Sequence, residues 1–161
     1  MCIILMMAIF KPPKAIRGGI PICFPQFSSH GSLEQHGFAR NRFWTVESDP
    51  PPFPTNPSNN AFIDLILRPS EEDLKIWPHS FEFRLRVALG PGGDLMLTSR
   101  IRNTNADGKP FTFTFAYHTY FSVSDIRFPS LVCQYLLCNF TNDSSGCWLP
   151  RRSVILIKFV E

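Results

Sequence analysis

Helix signals are scarce in this 161-residue chain. Only Ser70 and Asp73, ahead of EEDLK and a stop at Pro78, mark one, as a capping box on a single short turn. Proline outnumbers glycine, 15 to nine, and the remaining segments alternate, which excludes a helical bundle and favours a β-rich domain. The apolar start MCIILMMAIF is too short to cross a bilayer. With no basic residues before it and no small-residue cleavage site after it, neither a membrane span nor a signal peptide is expected. It reads as a buried strand leading into Lys11. Charge of one sign is lacking too. The net charge of +3 comes from cations scattered singly, which excludes a nucleic-acid surface and leaves a small anionic ligand compatible. Five cysteines without zinc-like spacing and four histidines without an HxH or HxxxH pair give no metal motif. Reduced thiols in the cytoplasm are the expectation, and the glycosylation-type triplets at Asn139 and Asn142 carry no weight without a secretory route.

What is present is alternation. The length suits one domain with its own core, and 16 phenylalanines supply most of the aromatic content. AFIDLIL (61–67) reads as a strand. In FEFRLRVAL (81–89), Phe81, Phe83, Leu85, Val87 and Leu89 face inward, with Glu82, Arg84 and Arg86 outward. GPGGD (90–94) turns the chain into LMLTSRIRN (95–103), a hairpin. NADGK (105–109) then leads to FTFTFAYHTYF (111–121), expected to be one strand and the third member of a meander. Such strands have one dry and one wet face, as in an antiparallel β-sandwich. SDPPPFPTNPSNN (48–60) reads as a stiff surface loop. After Asp125 the order fades, so residues 1–125 are expected to form the β-sandwich domain and 126–161 a divergent tail, with VILIKFV its best strand candidate.

Two segments and one residue carry candidate chemistry. In KPPKAIRGGIPICFPQF (11–27), Arg17 stands before two glycines that open the backbone, a setting suited to a phosphate; the plainer reading is an exposed arginine beside a tight turn. In LEQHGFAR (33–40), Gln35, His36 and Arg40 are side chains of the kind that hold sugar hydroxyls and phosphate oxygens, or equally those of a polar loop. His118 shares the polar face of its strand with Thr112, Thr114, Ala116 and Tyr120. On a rigid strand it suits proton transfer near neutral pH, and the strand alone balances that against a structural histidine. His30 and His79 read as surface or loop residues.

Four strings in order, KPPKAIRGGIPICFPQF, GSLEQHGFARN, LKIWPHSFEFRLRV and FAYHTYFSVSDI, resemble plant-type glucose-6-phosphate 1-epimerases (hexose-6-phosphate mutarotases) of the aldose 1-epimerase family, from about Ala8 to Ile126. The resemblance implies an all-β fold, the galactose mutarotase-like antiparallel supersandwich, incomplete here because family members extend further at both ends. It implies interconversion of the α and β anomers of a hexose 6-phosphate by acid/base ring opening, with no metal or organic cofactor. By the same resemblance His118 is the general acid, His36 contacts the sugar, and Arg17 and Arg40 hold the phosphate. Gln26 and Gln35 fall in matching motifs as further substrate-binding candidates. The family's catalytic glutamate lies in its C-terminal half, beyond the point where the resemblance stops, so the base is unassigned. A complete member is expected to be a cytoplasmic monomer, with a plastid left open, and a fragment to self-associate through unpaired edges. The alternatives are a non-catalytic sugar-phosphate-binding sandwich or an inactive truncated product.

Overall fold

The computed structural model describes residue 11 and residues 18–52, 61–90 and 94–120, together with the backbone of two strands at 136–142 and 148–157. Arg17, Phe121 and the apolar start lie outside these residues. In chain order the strands are β1 (Ile22–Cys23), β2 (Thr45–Val46), β3 (Ala61–Leu67), β4 (Phe81–Leu89), β5 (Leu95–Asn103), β6 (Ala116–Tyr117), β7 (Leu136–Asn142) and β8 (Trp148–Ile157). A 3-10 turn at Ala39–Asn41 and α1 (Glu71–Ile76) are the helical elements among the described residues. Six strands form one sheet in the order β2-β3-β4-β5-β8-β7, and β1 pairs with β6 in a second, smaller ladder. Every pairing is antiparallel.

The expected β4–β5 hairpin pairing forms, closed by Gly90 N–H donating to the Asp94 carbonyl at 2.9 Å. The capping box forms too. Ser70 accepts from the Asp73 backbone N–H, and the Asp73 carboxylate accepts from the Ser70 N–H. Burial pushes the Asp73 carboxyl up, but the Arg42 guanidinium and the Ser70 donors more than offset this and hold it below its ordinary value.

The meander does not form. The segment after NADGK crosses to the second layer, and β5 pairs on its free side with β8. Nor is 111–121 one regular strand, since the ladder proper covers only Ala116–Tyr117. Its register nevertheless extends in both directions. Thr114 N–H donates to Pro25 O, His118 N–H to Pro21 O and Tyr120 N–H to Gly19 O, each at 2.9 Å. Residues 114–120 thus lie antiparallel along 19–25. The crossing follows from the aromatic stripe: Phe111, Phe113, Phe115 and Tyr117 need a partner surface, and a third meander strand would leave them beside the sheet face instead of upon it.

The core lies between the layers. Phe24, Phe81 and Phe83 are fully buried, and Phe24 meets Phe81, Phe83 and Phe113 edge to face at centroid distances of 5.0, 5.2 and 5.3 Å. Phe115 packs on Phe83, Phe111 on Trp77, and the Tyr117 hydroxyl hydrogen-bonds Ser99. His79, expected as a surface or loop residue, lies in the loop before β4, where its half-buried ring meets Trp77 edge to face at 4.7 Å and Phe111 at 5.3 Å.

The far face of the large sheet is wet at Arg100 and Arg102, as alternation predicts, but not along β4. Arg84 and Arg86 point away from the aromatic core as expected, yet both are buried. Arg86 donates from Nε and Nη2 to the carboxylate of Asp64, its cross-strand partner, at 2.6 and 3.0 Å. Arg84 reaches Asp64 and Glu47. The chain running from Glu47 to Pro51 covers them: Glu47 N–H bonds the Asp64 carbonyl, Arg86 Nη2 donates to Pro51 O, and the Phe62 ring lies 4.1 Å from the Arg86 guanidinium carbon. Leu89, expected inward, is 56% exposed at the strand end.

Candidate functional site

The outer face of the second layer carries the residues that do not pack inward: Thr112, Thr114, Ala116, His118 and Tyr120. On that face Cys23 stands directly across from Ala116. His118 is half-buried, its backbone tied to Pro21 and its ring beside Tyr120 at 5.1 Å. The chain after β1 loops out through Gln26 to Ser32 and returns through Glu34 to Gly37. This return sets His36 against His118, edge to face, with ring centroids 5.2 Å apart. The Phe27 ring also lies beside His36, at 5.3 Å.

Backbone geometry fixes that return. His36 has φ +70° and Gly37 φ +67°. At Gly37 a side chain would force the backbone to shift, because a Cβ would fall 2.3 Å from the Phe24 carbonyl oxygen. Gly37 N–H donates to Glu34 O at 2.8 Å, and Ala39 N–H to Phe24 O at 3.1 Å, docking the turn on the β1 segment. Arg40 follows at once, so the docking also places its guanidinium. Arg40 Nη2 donates to the Gln35 carbonyl at 2.6 Å, while its Nε is buried and has no partner among the described residues. Burial pushes the Cys23 thiol above its ordinary value, and the nearby Arg40 charge offsets part of that rise. Arg40 therefore sits beside the β1–β6 ladder, in electrostatic reach of the residue opposite Ala116.

The structure thus brings His36, His118 and the Arg40 turn to one face. Gln35 is exposed on the same turn. Gln26 is different: it is buried, and its amide is taken up by the backbone of Ser28, Leu33 and Glu34. The sequence marks Thr114 only as a member of the polar face and gives Ser28 no role. Ser28 N–H donates to His36 Nδ1 at 3.0 Å, and Thr114 Oγ1 accepts from Phe27 N–H at 2.6 Å. No local pattern marks a serine whose role is to present its backbone. A cavity of about 250 Å³ opens farther along the strand, between the 26–33 loop and Thr112–Thr114, and neither His36 nor His118 lines it. Among the described residues no three of His, Cys, Asp and Glu gather as metal ligands, and no helix is long and apolar enough to cross a membrane.

The family model for aldose 1-epimerase matches residues 5–134. The chain belongs to the aldose 1-epimerase family. Among its relatives in that family, a protein of Cenchrus ciliaris named "Putative glucose-6-phosphate 1-epimerase" is 82% identical over 119 residues, 74% of this chain and 36% of the relative. A protein of the same name from Escherichia coli (strain K12) is 36% identical over 119 residues, 73% of this chain and 36% of its own length. A crystal structure from Salmonella typhimurium, described as a "putative mutarotase (YeaD)", superposes with a TM-score of 0.54 at 32% identity. It covers 73% of this chain and 36% of that one. The chain spans 36% of the length of these aldose 1-epimerase relatives. The likeness agrees with the all-β antiparallel architecture.

Proposed function

We propose that this chain carries the acid and phosphate-binding side of a hexose-6-phosphate mutarotase site, interconverting the α and β anomers of glucose 6-phosphate. The single observation that carries the reading is the convergence on one face of an imidazole pair, His36 and His118, with an arginine whose buried Nε has no partner among the described residues. A buried guanidinium N–H left unpaired costs about 1–3 kcal/mol, and a phosphate oxygen is the acceptor that relieves it with charge complementarity. The relatives' names point to the same substrate class.

The chemistry assigns each group a step. A base removes the proton from the anomeric hydroxyl, and the C1–O bond to the ring oxygen breaks as the C1 carbonyl forms. His118 protonates the departing ring oxygen. Rotation about C1–C2 presents the other carbonyl face, and the reverse proton transfers close the ring as the opposite anomer. His36 orients a sugar hydroxyl, Arg40 and Arg17 hold the phosphate, and Gln35 reaches the sugar from the exposed rim. No residue of the chain is assigned the base. A metal or organic cofactor has no step in this scheme. We place the catalytic part at residues 1–125 and treat 126–161 as a segment of different sequence character. Because β8 pairs with β5, that division concerns sequence and not sheet membership. A monomer is proposed for the complete enzyme and self-association for the shorter chain, in the cytoplasm or a plastid, and the buried free thiol of Cys23 accords with a reducing compartment.

The test follows anomer interconversion of glucose 6-phosphate by the full chain against the spontaneous rate. His118→Ala is expected to abolish the acceleration, a loss on the order of 10²–10⁴-fold for a general acid. A wild-type rate equal to the spontaneous one refutes the enzyme reading, and phosphate-dependent sugar binding without acceleration establishes a binding module in its place.

A further inference from the structure

Ser28 and His36 are the two non-glycine residues at positive φ among those described, at +57° and +70°. Neither is an asparagine or aspartate able to stabilise that conformation through its own side chain, so each costs about 1–2 kcal/mol. They face one another across the loop and are joined by two bonds. His36 N–H donates to the Ser28 carbonyl at 2.9 Å, and Ser28 N–H donates to the His36 ring at Nδ1, at 3.0 Å. A backbone N–H is only ever a donor, so Nδ1 of His36 must be bare, and the proton of the neutral ring sits on Nε2.

What holds the loop at Ser28, and on the way to His36, is Gln26. It lies beneath the loop, 5% exposed. Its Nε2 donates to the carbonyls of Ser28 at 3.1 Å, Leu33 at 3.2 Å and, at the limit of range, Glu34 at 3.4 Å. Its Oε1 accepts from Leu33 N–H at 3.1 Å. Gly31 completes the fit, since a Cβ there would overlap Gln26 Oε1. Both N–H donors of this amide are taken, so it has none to offer a substrate.

We infer that Gln26 is a positioning residue: by bracing the 28–34 loop it aims the Ser28 N–H at His36 and thereby fixes His36 as the Nε2–H tautomer. The geometry stands by itself; its use rests on the proposed mutarotase reading. In that reading, a ring locked in this form is an oriented hydrogen-bond donor to a sugar oxygen and is prevented from competing with its neighbour His118 as a proton acceptor through Nδ1. The strain at Ser28 and His36 is the cost of this orientation.

The experiment reads the ring directly and needs no activity. Two-bond 1H–15N correlation spectra of the uniformly labelled full chain, at a pH where imidazoles are neutral, report which nitrogen carries the proton. The His36 signals are assigned by their loss in His36→Phe. In the wild type, Nδ1 of His36 is expected at the unprotonated shift and Nε2 at the N–H shift. A bond of this kind favours the form by about five- to tenfold. Free histidine already leans modestly the same way, so the variants decide. Gln26→Met fills the space without donors, and Gln26→Glu keeps the shape but turns the donor into an acceptor facing carbonyls. Both are expected to move the two nitrogen shifts toward each other as the tautomers mix, while the His118 signals stay near their wild-type values. A protonated Nδ1 in the wild type overturns the proposal even if both variants fail to fold. So do folded variants whose His36 shifts match the wild type. Loss of the tautomer lock in a chain that never accelerates mutarotation supports the positioning role and counts only against the reaction assigned to it.

Discussion

Asp64 offers the sharpest check on the buried charge layer. Its side chain is fully covered, 0% exposed, and its two oxygens accept Arg86 Nε at 2.6 Å, Arg86 Nη2 at 3.0 Å and Arg84 Nη1 at 3.3 Å. The two guanidiniums are themselves 3% and 10% exposed, so neither can recover water if the carboxylate goes. Asp64→Asn keeps the volume and removes only the charge. One amide N–H must then face a guanidinium, and two cations remain in a poorly hydrated layer. Removing one member of a buried pair costs about 3–5 kcal/mol, a large part of a stability that for most domains is about 5–15 kcal/mol. Glu47 still bonds Arg84 at 3.2 Å and tempers the loss for that residue, so the lower half of the range is expected. At about 2–4 °C per kcal/mol for a chain of this size, the melting temperature should fall by about 6–15 °C. Urea unfolding followed by circular dichroism measures the difference, and the slope of the transition should stay unchanged. A loss below about 1 kcal/mol would refute the reasoning, because it would mean that water reaches these arginines. The complementary replacement, Asp64→Leu with Arg84→Met and Arg86→Met, should recover most of the stability, since apolar groups of similar size do not need pairing.

Two further outcomes follow from the fold. Because the Asp73 carboxyl is held below its ordinary value, its contribution is fully present above about pH 4, the unfolded value, and is lost as pH falls through the folded one. Asp73→Asn should therefore destabilise the protein by about 1–3 kcal/mol at pH 7, with the gap to wild type closing below pH 4 in acid-unfolding curves, and a pH-independent gap would contradict the assignment. Gly37→Ala should cost more than the roughly 1 kcal/mol of an ordinary left-handed substitution, since it adds a collision with the Phe24 carbonyl, and differential scanning calorimetry showing a smaller loss would place the turn elsewhere.

Local rules read from the sequence succeeded where the chain answers to its neighbours. The Ser70–Asp73 capping box and the antiparallel pairing of 81–89 with 95–103 are present, and of the residues expected inward Phe81, Phe83, Leu85, Leu97 and Ile101 are buried. They failed where a distant segment intervenes. Arg84 and Arg86 point to the side that alternation assigns them, but what covers that side is the return from Glu47 to Pro51, which no period within β4 encodes. The aromatic stripe of Phe111, Phe113, Phe115 and Tyr117 reads as core-facing from the sequence, yet the choice between a third meander strand and an opposing layer depends on the complementary aromatic surface of Phe24 and Phe83.

For the candidate site, sequence order alone named His36, His118 and Arg40 as the residues worth watching, because their motifs resemble those of one enzyme family and because imidazole and guanidinium chemistry suits a sugar phosphate. It could not say that the two rings touch at 5.2 Å, since 82 positions of chain separate them and only the antiparallel pairing of 114–120 with 19–25 closes that distance. Nor could it distinguish the two glutamines. Gln35 stayed exposed on the turn and Gln26 was drawn under it, and that difference depends on where four backbone groups of a loop happen to point. Side-chain identity and period are properties of the chain; which polar groups are left without water is a property of its packing, and this decides which residues brace the loop and which are left to meet a ligand.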